Sequence, residues 1–338
     1  MYKLLLPALC ALLLAACAPI VRVNEDAAQT PAPADVSPRA GYPVTIENID
    51  AKGNPATDTY DAPPRRIVAV WQNSIETPLA LGAGDRLIAG MGVPDRKYLS
   101  PAYQEAYDRI PYTSLENLDV ETVLMMEPDL IIGWASTFSP KVLRGTEFWQ
   151  SRGIHTYIAP SSAAARTQKT VDDECQDILN LGAILGRREE AKAIVNEMQR
   201  EISFVTAETQ SAEHRPRALV IELMGRDIRS YGENSLAGDI LRRLNAENLG
   251  ADGLNLSIEQ LIEMDPDAIF LVVVESDYDR AEEIKAQFCN NPALRGLSCV
   301  RTGRIDTLPL YTVYSAGTRT YDGIRSIARG LYPHLYKE

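Results

Sequence analysis

One segment of this chain occurs twice. Asp119 to Ile132 (DVETVLMMEPDLII) aligns without a gap on Ser257 to Phe270 (SIEQLIEMDPDAIF), at an offset of 138 residues. Each copy opens on a good helix N-cap, Asp119 or Ser257, and Ser257 with Gln260 has capping-box spacing. A short amphipathic helix follows. Pro128 or Pro266 stops it, because the residue before a proline avoids helical geometry. An apolar run begins at once. A chain that carries this helix–turn–strand unit twice is expected to build two lobes of like βα arrangement.

The rest of the chain agrees with two lobes. From Arg66 onward, short apolar runs alternate with helical patterns: Ile67–Trp71, Leu87–Gly90, Leu130–Gly133 and Thr156–Ile158, then Ala218–Ile221, Ala268–Val274 and Ile305–Leu308. Runs without polar alternation suit strands covered on both faces, hence parallel sheets flanked by helices. Between the two groups lies a long helical stretch, with Val171, Cys175, Ile178, Ala191, Ile194, Met198 and Ile202 on its apolar face and a break expected near Gly182 and Gly186. The fold expected is α/β: two lobes joined by a rigid helical connector. The spans are 43–170 for the first lobe, 171–210 for the connector and 211–338 for the second. Residues 43–60 alternate weakly around Lys52-Gly53-Asn54 and predict a hairpin.

Residues 1–16 read as a secretory signal: Lys3, an apolar run from Leu4 to Leu14, then small residues before Cys17. The run is too short to span a bilayer as a mature helix. Leu14-Ala15-Ala16-Cys17 resembles the lipobox of bacterial lipoproteins, which implies lipid on Cys17. Residues 17–42, rich in Ala, Pro and Asp, then form a flexible tether. An exported, membrane-anchored protein facing the periplasm or cell exterior is expected.

The net charge of −12 argues against nucleic-acid partners, whose phosphates it repels. An exported compartment permits disulfides, and Cys289 and Cys299 lie close in sequence in a turn-rich segment, so they are a candidate pair. Cys175 sits at an apolar helical position and is expected buried and free. The three histidines, His155, His214 and His334, are far apart, with no metal-ligand spacing. His155 opens a predicted strand and reads as structural. A bare transition-metal ion is therefore disfavoured as ligand, and a chelated metal is favoured. No intrinsic cofactor is expected.

Several segments now carry a resemblance. Pro63 to Val70, Glu76 to Gly90, Glu121 to Asp129 and Tyr231 to Leu241 resemble, in order and spacing, the periplasmic-binding-protein family for iron–siderophore complexes and cobalamin. The likeness runs from about Pro63 to Leu335. It implies two Rossmann-like α/β lobes joined by a single long connecting helix, and a monomeric carrier that holds its ligand in the cleft between the lobes and delivers it to the permease and ATPase of an ABC importer. It also implies one exposed glutamate per lobe for docking on permease arginines, here Glu121 and Glu259. On local chemistry alone either glutamate is explained by the positive end of its helix dipole.

Ligands of open α/β sheets collect beyond the carboxyl ends of the strands. The candidates there are Trp71, Tyr98, Trp134, Tyr231, Tyr311 and Tyr314 as aromatic walls, with Arg226, and also Arg229 and Arg319, to neutralise an anionic chelate. A ferric siderophore leads. Cobalamin, haem and molybdate-type oxyanions remain within the class. An exported enzyme on the same scaffold is a separate reading, although no GxSxG, GxGxxG or P-loop is present. A surface adhesion or assembly lipoprotein is a third.

Overall fold

The computed structural model describes residues 41–337 apart from 212, 213, 226, 251, 252 and 254. The expected signal segment, Cys17, the tether as far as residue 40, and Arg226 lie outside the described residues. The hairpin forms where expected: β1 (Val44–Ile49) pairs antiparallel with β2 (Pro55–Tyr60). His155 pins it to the first lobe. Its Nδ1 lies 2.9 Å from Asp58 Oδ2 and its ring stacks on Tyr60. The Asp58 contact also raises the imidazole above its ordinary range.

The first lobe holds β3 (Ile67–Val70), α1 (Gln72–Ala80), β4 (Leu87–Met91), α2 (Gln104–Asp108), β5 (Tyr112–Ser114), α3 (Val120–Met125), β6 (Leu130–Gly133), α4 (Thr146–Gln150) and β7 (His155–Ile158). Its five strands run parallel in the order β5-β4-β3-β6-β7. β3 and β6 are buried along their whole length, which is what their unalternating apolar sequences require.

The connecting stretch breaks near Gly186, as expected. α5 (Val171–Ile184) is followed by α6 (Arg188–Thr209), and the chain turns between them at Gly186, whose φ is 65°. The long helix α6 joins the lobes.

The second lobe contains β8 (Arg217–Met224), β9 (Asp227–Ser230), α7 (Leu236–Arg243), β10 (Glu247–Asn248), β11 (Asn255–Leu256), α8 (Ile258–Met264), β12 (Ala268–Val273), α9 (Ala281–Asn290), α10 (Ser298–Thr302), β13 (Ile305–Pro309) and α11 (Thr320–Leu331). Its sheet runs β11-β9-β8-β12-β13, with β10 beside β8. β8, β12 and β13 are parallel, but β8 and β9 form an antiparallel hairpin that the apolar-run reading does not anticipate. β9 buries only alternate residues, so it carries no apolar run.

The sequence repeat is a structural repeat. Asp119 accepts the Thr122 N–H, and Ser257 closes a capping box with Gln260. Glu127 and Asp265, at equivalent places, both take left-handed backbone, with φ of 48° and 38°. The Arg66 guanidinium donates to the carbonyls of Met126 and Glu127, and Arg217 donates to those of Met264 and Asp265. Asp129 accepts the backbone N–H groups of Arg65 and Arg66, and Asp267 accepts that of Arg217. In each lobe the Pro-Asp step thus clamps a helix end to the start of the central strand.

The lobes share one apolar cluster that runs from β3 through α5 and α6 to β8, β12 and α11. The residues between β13 and α11 are wedged against the first lobe. Arg319 Nη1 lies 3.1 Å from Glu76 Oε1, the Gly317 N–H donates to Glu174 Oε2 at 2.7 Å, and the Ser161 and Ser315 hydroxyls meet at 3.2 Å. Gly317 has a φ of 54°, and a Cβ there would stand 2.8 Å from Thr77 Oγ1, so the wedge needs glycine. Burial pushes the Glu174 carboxyl up to about 7. It pushes the neighbouring Asp177 carboxyl up to about 8, with the Glu174 charge adding to the rise.

The cysteine expectation divides. Cys175 is a buried free thiol, but Cys289 and Cys299 are also free rather than bonded. Cys299 is part of the apolar cluster on the outer side of the second lobe, and Cys289 packs against that cluster, so both serve there as small apolar residues.

Candidate functional site: the cleft between the lobes

The strand exits of the two sheets face each other. In the first lobe, β3 ends at Trp71 and β6 at Trp134. Their indoles stack with centroids 5.0 Å apart. Trp71 Nε1 donates to Thr137 Oγ1 at 3.2 Å, and Trp134 Nε1 to Asn73 Oδ1 at 2.8 Å. Trp71 has a φ of 78°, in a region that disfavours residues with side chains. It is held there by its own N–H, which donates to the Met91 carbonyl at 2.8 Å, and by the bonds on its ring. Gly92 leaves room for that ring, since a Cβ on it would come within 3.1 Å of the indole.

The second lobe meets this wall with tyrosines. Tyr314 sets its ring edge-on to Trp134 at 5.8 Å, and Lys169 Nζ stands 4.3 Å from the Tyr314 centroid. Tyr278 meets Tyr98 at 5.9 Å and Tyr311 at 6.2 Å. Beside them Lys97 Nζ pairs with Asp279 Oδ2 at 2.5 Å, so consecutive residues on each lobe, Lys97-Tyr98 and Tyr278-Asp279, bridge the mouth. Tyr231 is buried, and its hydroxyl donates to Glu222 Oε2 at 2.9 Å. Burial of Glu275, and then the charge of Glu222, push the Glu275 carboxyl above its ordinary range.

Trp71, Trp134 and Tyr314 therefore come together, and so do Tyr98 and Tyr311 through Tyr278. Tyr231 sits on the second-lobe side, with Arg229 over its ring at 6.0 Å. Arg319 departs from its expected role. Its guanidinium pairs with Glu76 and Asp322 and underlies Tyr311 at 4.8 Å, so it joins the lobes instead of facing a ligand. Glu76 is fully buried. Burial raises its carboxyl above the ordinary range, while Arg319, the Ser100 N–H and Gln72 oppose that rise. Sequence reasoning covered Lys97 only within the strand-exit segment Pro94 to Tyr98 and left Thr137 and Glu222 unremarked. Lys97 adjoins a candidate tyrosine, but Glu222 is hidden at the end of an apolar strand and Thr137 has no signal at all.

Glu121 and Glu259 lie in the first turns of α3 and α8, both exposed. Each helix precedes a strand running parallel to the sheet centre, so each first turn is at the strand-exit end of its lobe. Hydrogen bonds from its own backbone N–H and from Ser257 hold the Glu259 carboxyl below its usual range. A polar cavity of about 540 Å³, lined by Lys285, Arg304, Asp306 and Arg329 among others, lies at the amino end of β13, the opposite end from the aromatic cleft.

Residues 67–312 match the model of a family described as periplasmic binding protein. A crystal structure of a periplasmic binding protein from Veillonella parvula DSM 2008 aligns with a TM-score of 0.84, at 45% identity, over 87% of this chain and 93% of that one. An uncharacterized ABC transporter substrate-binding lipoprotein of Bacillus subtilis (strain 168), YvrC, is 22% identical over 302 residues, covering 88% of each chain. A vitamin B12-binding protein of Vibrio cholerae is 23% identical over 212 residues, 62% of this chain and 70% of its own.

Proposed function

We propose that this chain, which belongs to the periplasmic binding protein family, serves an ABC importer as its substrate-binding protein rather than as an enzyme, and that its cargo is a metal chelate, a ferric siderophore first, held between the lobes and passed to the permease. The observation that carries this reading is the aromatic cleft. Trp71, Trp134 and Tyr314 converge at the strand exits, where α/β folds take up ligands. A corrinoid is the second ligand class, favoured by the vitamin B12-binding relative. Tyrosines of the cleft also suit haem iron, and backbone N–H groups would suit molybdate-type oxyanions. The lipid anchor on Cys17 is part of the proposal, supported by the lipobox-like sequence and by the lipoprotein relative.

Glu121 and Glu259 are proposed to dock on the permease. Two carboxylates at a fixed separation set register and speed encounter more than they add affinity. Their helices also expose Met125, Ile258 and Ile262, apolar surface that a partner would cover.

Titration of the purified protein with ferric siderophores, haemin, cobalamin, molybdate and bare metal ions tests the cargo, with tryptophan fluorescence as readout. Saturable quenching by one chelate, and not by its metal-free form, is expected. A flat response across the panel, confirmed by calorimetry, would remove the reading. Uptake unaffected by Glu121→Ala with Glu259→Ala would remove the docking role.

A further inference from the structure

A buried carboxylate stands behind the tyrosines at the mouth of the cleft. Gln72 and Glu76 lie one turn apart on α1, which starts directly after Trp71, and both are buried. Gln72 Nε2 donates to Glu76 Oε2 and to the Tyr98 carbonyl, each at 3.0 Å. Glu76 Oε1 accepts the Ser100 N–H at 2.6 Å and a bond from Arg319 Nη1 at 3.1 Å. The bonds to the Tyr98 carbonyl and the Ser100 N–H fix the backbone that carries Tyr98 on the first lobe. The Arg319 guanidinium, held by the same carboxylate, lies 4.8 Å from the ring centroid of Tyr311 on the second lobe. Tyr278 completes the circuit, since its ring meets Tyr98 at 5.9 Å and Tyr311 at 6.2 Å, edge-on in both cases. Two side chains of one helix thus hold a tyrosine of each lobe, and a third tyrosine touches both.

The hydroxyls of these tyrosines are uncommitted. Tyr98 is 7% exposed, Tyr311 is 9% exposed and Tyr278 is half-buried. Among the described residues none of the three hydroxyls has a hydrogen-bond partner, and none is enclosed in the interior. Buried tyrosines ordinarily find a partner for the hydroxyl, and others in this fold do. Tyr157 donates to Asp177, Tyr231 to Glu222 and Tyr332 to the Leu244 carbonyl. The indole N–H groups of the neighbouring tryptophan pair are taken up by Thr137 and Asn73. Hydrogen bonding from this aromatic surface therefore falls to the tyrosine hydroxyls. A phenolic hydroxyl both donates and accepts. It suits the carbonyl, hydroxamate or catecholate oxygens and the amide N–H groups of a chelate, whatever the net charge of that chelate.

We infer that the hydroxyls of Tyr98, Tyr278 and Tyr311 hydrogen-bond the oxygen and N–H groups of a bound chelate, and that Gln72, Glu76 and Arg319 are positioning residues that hold this triad from the buried side. The inference rests on the proposal that a chelate binds between the lobes.

Calorimetry on the full chain in detergent micelles tests it with four probes: a ferric tris-hydroxamate, a ferric tris-catecholate, cyanocobalamin and haemin. At least one is expected to bind. For the probe bound most tightly, Tyr98→Phe, Tyr278→Phe and Tyr311→Phe are each expected to weaken binding about three- to tenfold, and the three together about thirtyfold or more. Each variant keeps its ring and loses only a hydroxyl that no protein group engages, so thermal midpoints should stay at the wild-type value. Gln72→Met removes the bond to the Tyr98 carbonyl and keeps the length of the side chain. It is expected to weaken the same probe about threefold in the wild type and to have no further effect beside Tyr98→Phe, because it acts through that hydroxyl. Arg319→Lys, which keeps the buried charge, gives the same comparison against Tyr311→Phe. Losses of equal size in both backgrounds would show a merely structural role and overturn the positioning. Phenylalanine variants that bind as tightly as the wild type would overturn the hydroxyl contacts and leave chelate transport standing. Binding of none of the four probes would overturn both.

Discussion

In the first lobe the central strand and its neighbour lead to Trp71 and Trp134; in the second, Glu222 lies near the end of the equivalent central strand and the neighbour leads to Glu275. Below those exits the lobes are alike down to single hydrogen bonds. Arg66 and Arg217 reach the same two carbonyls of their respective helix ends, and Asp129 and Asp267 accept the backbone at the start of the central strand. The amino ends of the strands, which must fold, keep the shared clamp. The carboxyl ends, which line the cleft between the lobes, differ. A two-lobed binder can thus hold its scaffold constant and adjust each wall of the cleft separately.

The largest expected effect tests whether the lobes are separable at all. Arg319→Ala would leave the Glu76 carboxylate buried without its cation, and a loss of about 3–5 kcal/mol is expected. Urea unfolding that stays a single transition while its midpoint falls would show one cooperative unit. Two transitions would show that the lobes fold independently and that the wedge only docks them.

Next comes pH. The folded protein favours protonated Glu174 and Asp177, whose carboxyls burial holds up to about 7 and about 8. That stabilisation is complete below the ordinary carboxylate range and is lost as pH rises through those values. Stability should fall by roughly 3 kcal/mol for Glu174 alone between pH 5 and pH 8.5. His155, raised by Asp58, adds loss in the same direction. Denaturant melts of Glu174→Gln should show a shallower slope, and an unchanged slope would assign the effect elsewhere.

The clamps are then compared directly. Asp129→Ala and Asp267→Ala are each expected to cost about 1–3 kcal/mol, with Asp129 the larger because it accepts two backbone N–H groups where Asp267 accepts one and meets the exposed His214 ring. Equal losses would mean that the second bond at Asp129 contributes no more than the His214 contact at Asp267. The smallest effect is at the caps. Asp119→Ala and Ser257→Ala should each cost about 1 kcal/mol in thermal melts, with no difference expected between them.

Much of this was legible because it is local. The hairpin around Gly53, the paired caps and prolines, and the fully buried strands such as Leu130–Gly133 are written in short windows, where turn chemistry and apolar runs act directly. The antiparallel β9 was not legible, since Asp227–Ser230 buries only two residues on one face. The same holds for Cys289 and Cys299, whose closeness in sequence made them a candidate pair that the packing of the second lobe leaves unbonded.

The sequence by itself determined two lobes, their fully buried strands and the stretch of chain that joins them, because helix stops, caps and buried strands depend on neighbours a few residues away. Only the tertiary structure decided what each candidate side chain does. Arg319 became a tie between lobes and not a ligand contact because its partner, Glu76, is 243 residues away. The Trp71 and Trp134 indoles turned their N–H groups inward because Thr137 and Asn73 stand beneath them. Charge and hydrogen-bond capacity belong to residue types, but whether they face a ligand depends on which distant groups the fold brings within about 3 Å.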